Sequence, residues 1–102
     1  LKSSLLLSIL LYIFKNKDTR NAFYEEVKAG GVAEASREED GCIRYEYYYH
    51  ADSDNKIFLW EQWESREAQA LHMTMPHFAV LTGIKEKYEV EAEILIEDQI
   101  IR

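Results

Sequence analysis

The chain has 102 residues, of which 47% are hydrophobic, and its formal net charge is −7. A chain this short builds one hydrophobic core, so we expect a single domain over residues 1–102. The negative charge argues against nucleic acid as a partner, because phosphate backbones repel an acidic surface. The lone cysteine, Cys42, excludes an internal disulfide and a multi-cysteine metal site, and it favours a reducing, cytoplasmic location.

The first element is an apolar run over residues 5–14, interrupted only by Ser8. It resembles the core of a signal peptide, but a bilayer-spanning helix takes about 20 residues and no small-residue cleavage site follows. A strand buried on both faces gives the same pattern. We therefore predict a first strand here and no association with a membrane.

A helix follows, which Asp18 or Thr19 can cap. Its apolar positions recur near helical spacing at Phe23, Val27, Gly30 and Ala33. Each glycine of the pair at 30–31 weakens a helix by about 1 kcal/mol relative to alanine, which predicts a local distortion there. Gly41 ends the polar run 36–40 and fits a left-handed helix terminator.

Two alternating, aromatic-rich segments, 43–50 and 56–63, flank the turn 51–55 and predict a β-hairpin. Aromatic residues occur on both faces of the hairpin. In the first strand of the hairpin one face carries Ile43, Tyr45, Tyr47 and Tyr49 and the other Tyr48. In the second strand one face carries Ile57, Leu59, Glu61 and Trp63 and the other Phe58 and Trp60. Two helices cover only one face of a sheet, so a second copy of the chain is the simplest cover for the other. We expect a homodimer.

Ser65 is placed to cap a helix that begins at Arg66 and bends at Pro76, which lacks an N–H. The last strand, near residues 88–96, alternates, with Tyr88, Val90, Ala92, Ile94 and Ile96 on one side. The order strand, helix, strand, strand, helix, strand predicts a ferredoxin-like α+β fold with an antiparallel sheet, βαββαβ.

Three residues are the candidates for chemistry. His72 shares a helical stripe with Ala68, Leu71 and Met75, so its imidazole is expected to point inward, and burial would keep it in the neutral form that a general base needs. A core histidine satisfied by one hydrogen bond is the alternative. Glu61 must be paired or protonated if buried. Trp63 either stacks on a planar substrate or fills the core.

The sequence offers no recognisable cofactor site. His72 and His77 are five residues apart across a proline, which does not place them on one helical face, and His77 is expected at the surface or in an interface. Glycine-rich phosphate loops and dinucleotide fingerprints are absent from the sequence. We expect no metal site and no tightly bound cofactor.

Residues 61–78, EQWESREAQALHMTMPHF, resemble the antibiotic biosynthesis monooxygenase family of dimeric α+β barrels. The family pattern has a strand ending E-x-W-E-S, a helix with a histidine, and a T-P-H-F-like sequence. The matching positions are Glu61, Trp63, Glu64, Ser65, His72, Pro76, His77 and Phe78, whereas Met75 stands where threonine is frequent. The segment EEDGCIRYEYY is also similar to the family's E-E-x-G-C segment.

The nearest resemblance is to the quinol monooxygenases, which implies oxidation of a quinol or polyphenol by O₂ without metal or flavin. His72 would be the base or a proton shuttle, with Trp63 and Glu61 beside it. The substrate-binding residues would be His50, Trp60, Tyr45, Tyr47, Met75 and Phe78. Two alternatives stay open: a same-fold isomerase of a phosphorylated signalling sugar, which Lys85 or Lys87 would serve, and a non-catalytic dimer that binds a small aromatic molecule. The haem-degrading branch fits less well, because Thr82 stands near its ligating histidine.

Overall fold

The computed structural model describes residues 4–101, which form four strands and four helices. In chain order these are β1 (Ser4–Ile13), α1 (Lys17–Ala29), α2 (Val32–Arg37), β2 (Cys42–Tyr49), β3 (Lys56–Trp63), α3 (Arg66–His72), α4 (Pro76–Lys87) and β4 (Glu91–Ile101). Within the described range, no helix is both long and apolar enough to cross a bilayer.

The strands form one antiparallel sheet in the order β2-β3-β1-β4, and the helices pack on one of its faces. This arrangement confirms the predicted ferredoxin-like α+β fold. The alternation of β3 fixes its orientation, because Ile57, Leu59, Glu61 and Trp63 are buried and the residues between them are half-buried. The core lies between this face and the helices, around Leu6, Tyr12, Phe23, Val27, Tyr45 and Leu81.

The first helical segment differs from its prediction at both ends. Asn16, not Asp18 or Thr19, is the N-cap: its extended backbone lets the side-chain oxygen accept from the Thr19 N–H at 2.8 Å. The segment also divides into α1 and α2 at Gly30-Gly31, where Gly31 adopts a left-handed φ of 65°. The predicted distortion is therefore a complete break.

The second helical segment is divided as well. Ser65 caps α3 as predicted, accepting from the Ala68 N–H at 3.1 Å. Pro76, however, does not bend one helix; it is the first residue of α4, where a missing N–H costs nothing. The predicted apolar stripe is also wrong in part, because Leu71 is 54% exposed while His72 is buried.

Two register shifts change which residues share a face. In β2 the pairing passes from Cys42↔Trp63 to Arg44↔Gln62, so Ile43 is an extra residue and is exposed rather than aligned with Tyr45. In β4 the shift leaves Leu95 unpaired, so that Ile94 and Ile96 face opposite sides. The prediction that side chains alternate strictly through these positions was therefore wrong.

The sheet face away from the helices carries apolar side chains without a covering layer in this chain. Ile9, Phe58 and Trp60 are half-buried there, and Tyr48 and Ile96 are exposed by 43% and 42%. Ile9, Tyr48, Phe58 and Trp60 line a shallow apolar depression. Among the described residues, nothing on this face replaces the layer that the helices form on the other.

Candidate functional site

A cavity of about 140 Å³ lies between the sheet and the helices. It combines an apolar wall with several convergent polar groups, which is typical of a small-molecule site. Its apolar lining consists of Leu10, Leu59, Met73, Phe78, Leu81 and Ile94. Its polar lining consists of Ser8, Tyr12, Tyr45, Glu61, Gln69, His72, Lys85 and Glu97.

His72 reaches this cavity from the last residue of α3. It is 2% exposed, and its ring contacts Trp63, Tyr45 and Phe78, with centroid separations of 4.8, 5.6 and 5.3 Å. The break at residues 73–75 follows at once, so the ring sits where the helix backbone turns away. The imidazole is thus fixed by packing on three aromatic neighbours.

The ring of His72 is also held by a carboxylate. Its Nδ1 lies 2.6 Å from Glu39 Oε2, and the His77 Nε2 lies 2.6 Å from the same oxygen. An ionised carboxylate only accepts hydrogen bonds, so each ring nitrogen facing Glu39 is the donor. In neutral His72 the proton is then on Nδ1, and Nε2 carries the lone pair. This is the tautomer of a general base oriented by an acid residue.

Glu39 occupies its position because of the turn between α2 and β2. Gly41 has a φ of 85°, and a Cβ at this residue would lie 2.7 Å from the Ala68 Cβ. Its carbonyl accepts from the Glu64 N–H at 2.7 Å, and the Cys42 N–H donates to the Glu39 carbonyl at 3.1 Å. The turn therefore packs directly on α3 and presents Glu39 to His72.

A second carboxylate lies deeper, on β3. Glu61 is 7% exposed and accepts from the Trp63 indole Nε1 at 2.9 Å. Burial raises the pKa of Glu61 above its usual range, and the hydrogen bond from Trp63 partly opposes that shift. The carboxyl of Glu61 is thus positioned to exchange a proton with a group bound in the cavity.

Phenols and an amine complete the polar lining. Burial raises the pKa of Tyr12 and Tyr45 well above the usual value of 10, so both stay neutral hydrogen-bond donors at physiological pH. Lys85, on α4, lies over the Tyr12 ring with its Nζ 5.3 Å from the centroid. Partial burial lowers the pKa of Lys85, whereas Glu61 nearby opposes the change.

The structure brings four of the nine predicted site residues to the cavity lining: His72, Glu61, Tyr45 and Phe78. Trp63 and Tyr47 lie one layer behind it. Trp63 is fully buried against His72, and the Tyr47 hydroxyl is 3.2 Å from that of Tyr45. Of the two roles predicted for Trp63, the structure shows the core-filling one, since its ring packs against that of His72 and is outside the cavity lining.

The remaining three predicted residues lie elsewhere. His50 stacks on Phe58 at the hairpin turn, and its Nδ1 accepts from the Asp52 and Ser53 N–H groups. Trp60 points to the other sheet face, as β-strand alternation from Trp63 requires. Met75 precedes α4 as its N-cap and is not part of the cavity lining.

His77 differs from its prediction in a way that matters for the site. It is not an exposed surface residue, because its side chain is only 16% exposed and bonded to Glu39. The break between α3 and α4 removes the helical geometry on which its separation from His72 was predicted. Glu39, His72 and His77 converge, with their ligand atoms within 4.8 Å of one another.

Several lining residues were not predicted, although some had a signal in the sequence. Ser8 and Tyr12 share a strand face with Leu10 by simple alternation, and Gln69 is one helical turn before His72. Lys85, which was predicted only for the isomerase alternative, is one turn after Leu81 on α4. Glu39 had no such signal, because its place depends on how a turn packs against a distant helix.

The pattern of the antibiotic biosynthesis monooxygenase family matches residues 9–81. The chain belongs to this family. It is 39% identical over 67 residues, 66% of its length, to the uncharacterized protein YjcS of Bacillus subtilis. The chain spans less than two thirds of the length of the curated relatives it matches, 61% for YjcS.

Solved structures share the fold. A conserved protein of unknown function from Bacteroides thetaiotaomicron, described as a "possible oxidoreductase", has a TM-score of 0.75 at 23% identity, with 98% of each chain covered. The protein PA3566 from Pseudomonas aeruginosa has a TM-score of 0.74 at 24% identity, covering 98% of this chain and 94% of its own. At these identities the likeness concerns the fold alone.

Proposed function

We propose that this protein is a cofactor-independent monooxygenase that oxidises a single-ring quinol or polyphenol with O₂. The observation that carries the proposal is a buried imidazole, His72, which is part of the cavity lining and whose Nδ1 is held by a carboxylate. Membership of the antibiotic biosynthesis monooxygenase family supports the reaction class.

The size of the cavity supports a substrate with one ring. An apolar cavity of about 150 Å³ is known to hold benzene, and the cavity here is about 140 Å³. Phe78, Leu59 and Leu81 offer apolar contacts to a ring, and Tyr45 and Gln69 offer hydrogen bonds to ring hydroxyls. Haem is far too large for this volume, and Thr82 donates to the Phe78 carbonyl instead of facing the cavity.

The proposed chemistry begins with proton transfer from a phenolic hydroxyl to Nε2 of His72. The phenolate passes one electron to O₂, and the radical pair recombines at a ring carbon. One oxygen atom enters a ring C–H bond and the other leaves as water. The two electrons and two protons that form this water come from the quinol as it becomes a quinone.

The neighbouring residues would each have a defined part. Glu39 would stabilise the imidazolium that forms on His72, because its carboxylate is bonded to Nδ1. Lys85 would stabilise the phenolate and the reduced oxygen by charge. Glu61, with its raised pKa, would supply or take up a proton in the cavity lining. Trp63 would act as a positioning residue for Glu61 and His72.

The isomerase alternative has less support from this cavity. A phosphorylated sugar would need several cationic partners, but Lys85 shares the lining with the carboxylates of Glu61 and Glu97. Each ionised carboxylate in the lining opposes the attraction of Lys85 for a phosphate. A phenol brings no charge into the cavity until it is deprotonated there.

Oxygen-isotope labelling tests the reaction class. We expect the purified protein to consume one O₂ for each hydroquinone oxidised and to place one ¹⁸O atom from ¹⁸O₂ in the hydroxylated quinone. Rates are taken above the spontaneous oxidation measured without protein. A binding protein or an isomerase would not raise O₂ uptake above that rate, and this result across a panel of single-ring quinols would refute the proposal.

We further propose that the protein is a homodimer in which the helix-free sheet faces pack together. Exposed apolar side chains on that face, including Tyr48 and Ile96, support this assembly because such patches mark interfaces. Trp60 and Phe58 lie near its centre, and aromatic residues of this kind dominate the energetics of interfaces.

A further inference from the structure

We propose that Glu39 Oε2, His72 Nδ1 and His77 Nε2 form a binding site for one divalent transition-metal ion of the zinc class, and that the bound ion switches His72 off as a base. The metal site stands on the geometry of the three side chains. The switch rests in addition on the proposed function.

The three ligand atoms converge from separate parts of the chain. Glu39 lies in the turn before β2, His72 ends α3, and His77 is in the first turn of α4. Their ligand atoms lie within 4.8 Å of one another. The sequence separations of 33 and 38 residues mean that the tertiary fold, not a local motif, assembles them.

The chemistry of the set suits a zinc-class ion. Two neutral imidazoles and one carboxylate form the protein ligand set of several zinc enzymes. The side chains of His72, Glu39 and His77 are 3%, 7% and 16% exposed, so bulk water competes weakly for the ligand positions. An ion would replace the two protons that now bridge the nitrogen atoms to Oε2.

The present distances define what must change on binding. Both nitrogen atoms are 2.6 Å from Oε2, which is a hydrogen-bond distance. Ligands at about 2.0–2.2 Å from one metal ion lie roughly 3 Å or more apart. In a tetrahedral site they lie about 3.4 Å apart, so each nitrogen atom and Oε2 must separate by about 0.8 Å. Glu39 must therefore move away from His72, and His77 away from Glu39, while the ring of His72 keeps its aromatic packing.

The switch follows from the tautomers of imidazole. With Glu39 as acceptor, the proton of neutral His72 is on Nδ1 and Nε2 is free to take a proton. When a metal ion binds Nδ1, the ring proton is on Nε2 instead. Nε2 then donates a hydrogen bond and can no longer accept a proton. Metal occupancy would stop proton abstraction without blocking the cavity itself.

Direct titration tests the site without any substrate. Tag-free, chelator-stripped protein is titrated with Co²⁺, read by its visible absorption, and with Zn²⁺ in competition with a chromophoric chelator. We expect one ion per chain, with affinity at least tenfold weaker in Glu39→Gln and in His77→Gln. The matched control His50→Gln, which removes the chain's third histidine, should bind as the wild type does. Circular dichroism establishes that each variant is folded.

Two outcomes would overturn the site. One is that wild-type protein binds Zn²⁺ no better than His77→Gln, and the other is that His50→Gln weakens binding as much as His77→Gln. For the switch, ¹⁵N NMR of histidine-labelled protein should show His72 Nε2 gaining a proton when Zn²⁺ is added. An Nε2 that stays unprotonated in the zinc-bound protein would refute it. Because these readouts need no substrate, a failed oxygen assay would leave the metal site standing, and the reverse also holds.

Discussion

One carboxylate oxygen, Oε2 of Glu39, determines how His72 meets the cavity. The sequence left two interpretations of His72 open, a base in a pocket and a core histidine satisfied by one hydrogen bond. The structure shows the features of both, since the ring is buried, bonded through Nδ1 and part of the cavity lining. The burial of His72 was predictable from its helical context. Glu39 was not, because no periodic pattern links it to α3.

Glu61 makes a prediction for the pH dependence of stability. Its pKa in the folded protein is raised above the usual 4.5. At pH values between 4.5 and the raised pKa, the folded state binds more protons than the unfolded state. The contribution of Glu61 to the free energy of unfolding therefore falls as pH rises through this window. We expect Glu61→Gln to gain stability relative to the wild type across this window. The gain is about 1.4 kcal/mol for each pKa unit of the shift.

Urea unfolding at a series of pH values measures this difference. The matched control is Glu93→Gln, which removes an exposed carboxylate on β4. Its effect should stay within about 0.5 kcal/mol at every pH, as for most surface substitutions. A stability difference between Glu61→Gln and the wild type that is constant with pH would contradict the raised pKa of Glu61.

At the scale of elements, the breaks and bulges place the site. The types and order of the strands and helices followed from hydrophobic periodicity and from Ser65 and Gly41. The sequence pattern did not predict the break between α3 and α4 at Pro76. It also did not predict the bulges at Ile43 and Leu95. A proline is tolerated both inside a bent helix and at the start of a new one, and only packing distinguishes the two cases. The position of His77 depends on the break between α3 and α4, so the convergence of His72 and His77 on Glu39 depends on it as well.

Gly41 tests the turn that presents Glu39. Gly41→Ala would force a side chain into a left-handed backbone and bring its Cβ to 2.7 Å from that of Ala68. The backbone costs about 1–2 kcal/mol and overpacking adds about 1–3 kcal/mol. We expect a loss of at least about 2 kcal/mol, measured by urea unfolding, together with weaker metal binding.

The same substitution at another glycine provides the control. Gly83 lies in α4 with nothing within 4 Å of the added Cβ. Gly83→Ala should therefore stabilise the protein by up to about 1 kcal/mol through helix propensity. Equal effects of the two substitutions would show that the Gly41 turn is not packed on α3 as described.

At the scale of the whole molecule, the sheet presents two different surfaces. Strand alternation alone predicted that aromatic residues would lie on both faces, and the positions of Trp60 and Trp63 confirm this. The volume and polarity of the cavity could not be predicted from the sequence, because they depend on how α3 and α4 pack over β1 and β3. Trp63 shows the limit: its face was predictable, but its contact with His72 was not.

The apolar face makes a prediction about assembly. We expect the wild type to run as a dimer in sedimentation equilibrium, and Trp60→Glu to dissociate it, because a charge would be buried at the centre of the interface. The matched control is Leu71→Glu, which changes a residue 54% exposed on α3 and should leave the dimer intact. A monomeric wild type, or equal dissociation by both variants, would contradict the packing of the two sheet faces.

The measurement that tests the account most directly is steady-state oxidation of a hydroquinone by wild type, His72→Gln and His50→Gln, with substrate binding measured separately. The account predicts that His72→Gln lowers kcat by about 10²-fold or more, as expected for loss of a general base. Substrate affinity and folding should be nearly unchanged in this variant, and His50→Gln should retain wild-type turnover. Wild-type kcat in a folded His72→Gln protein would contradict the assignment of His72 as the base.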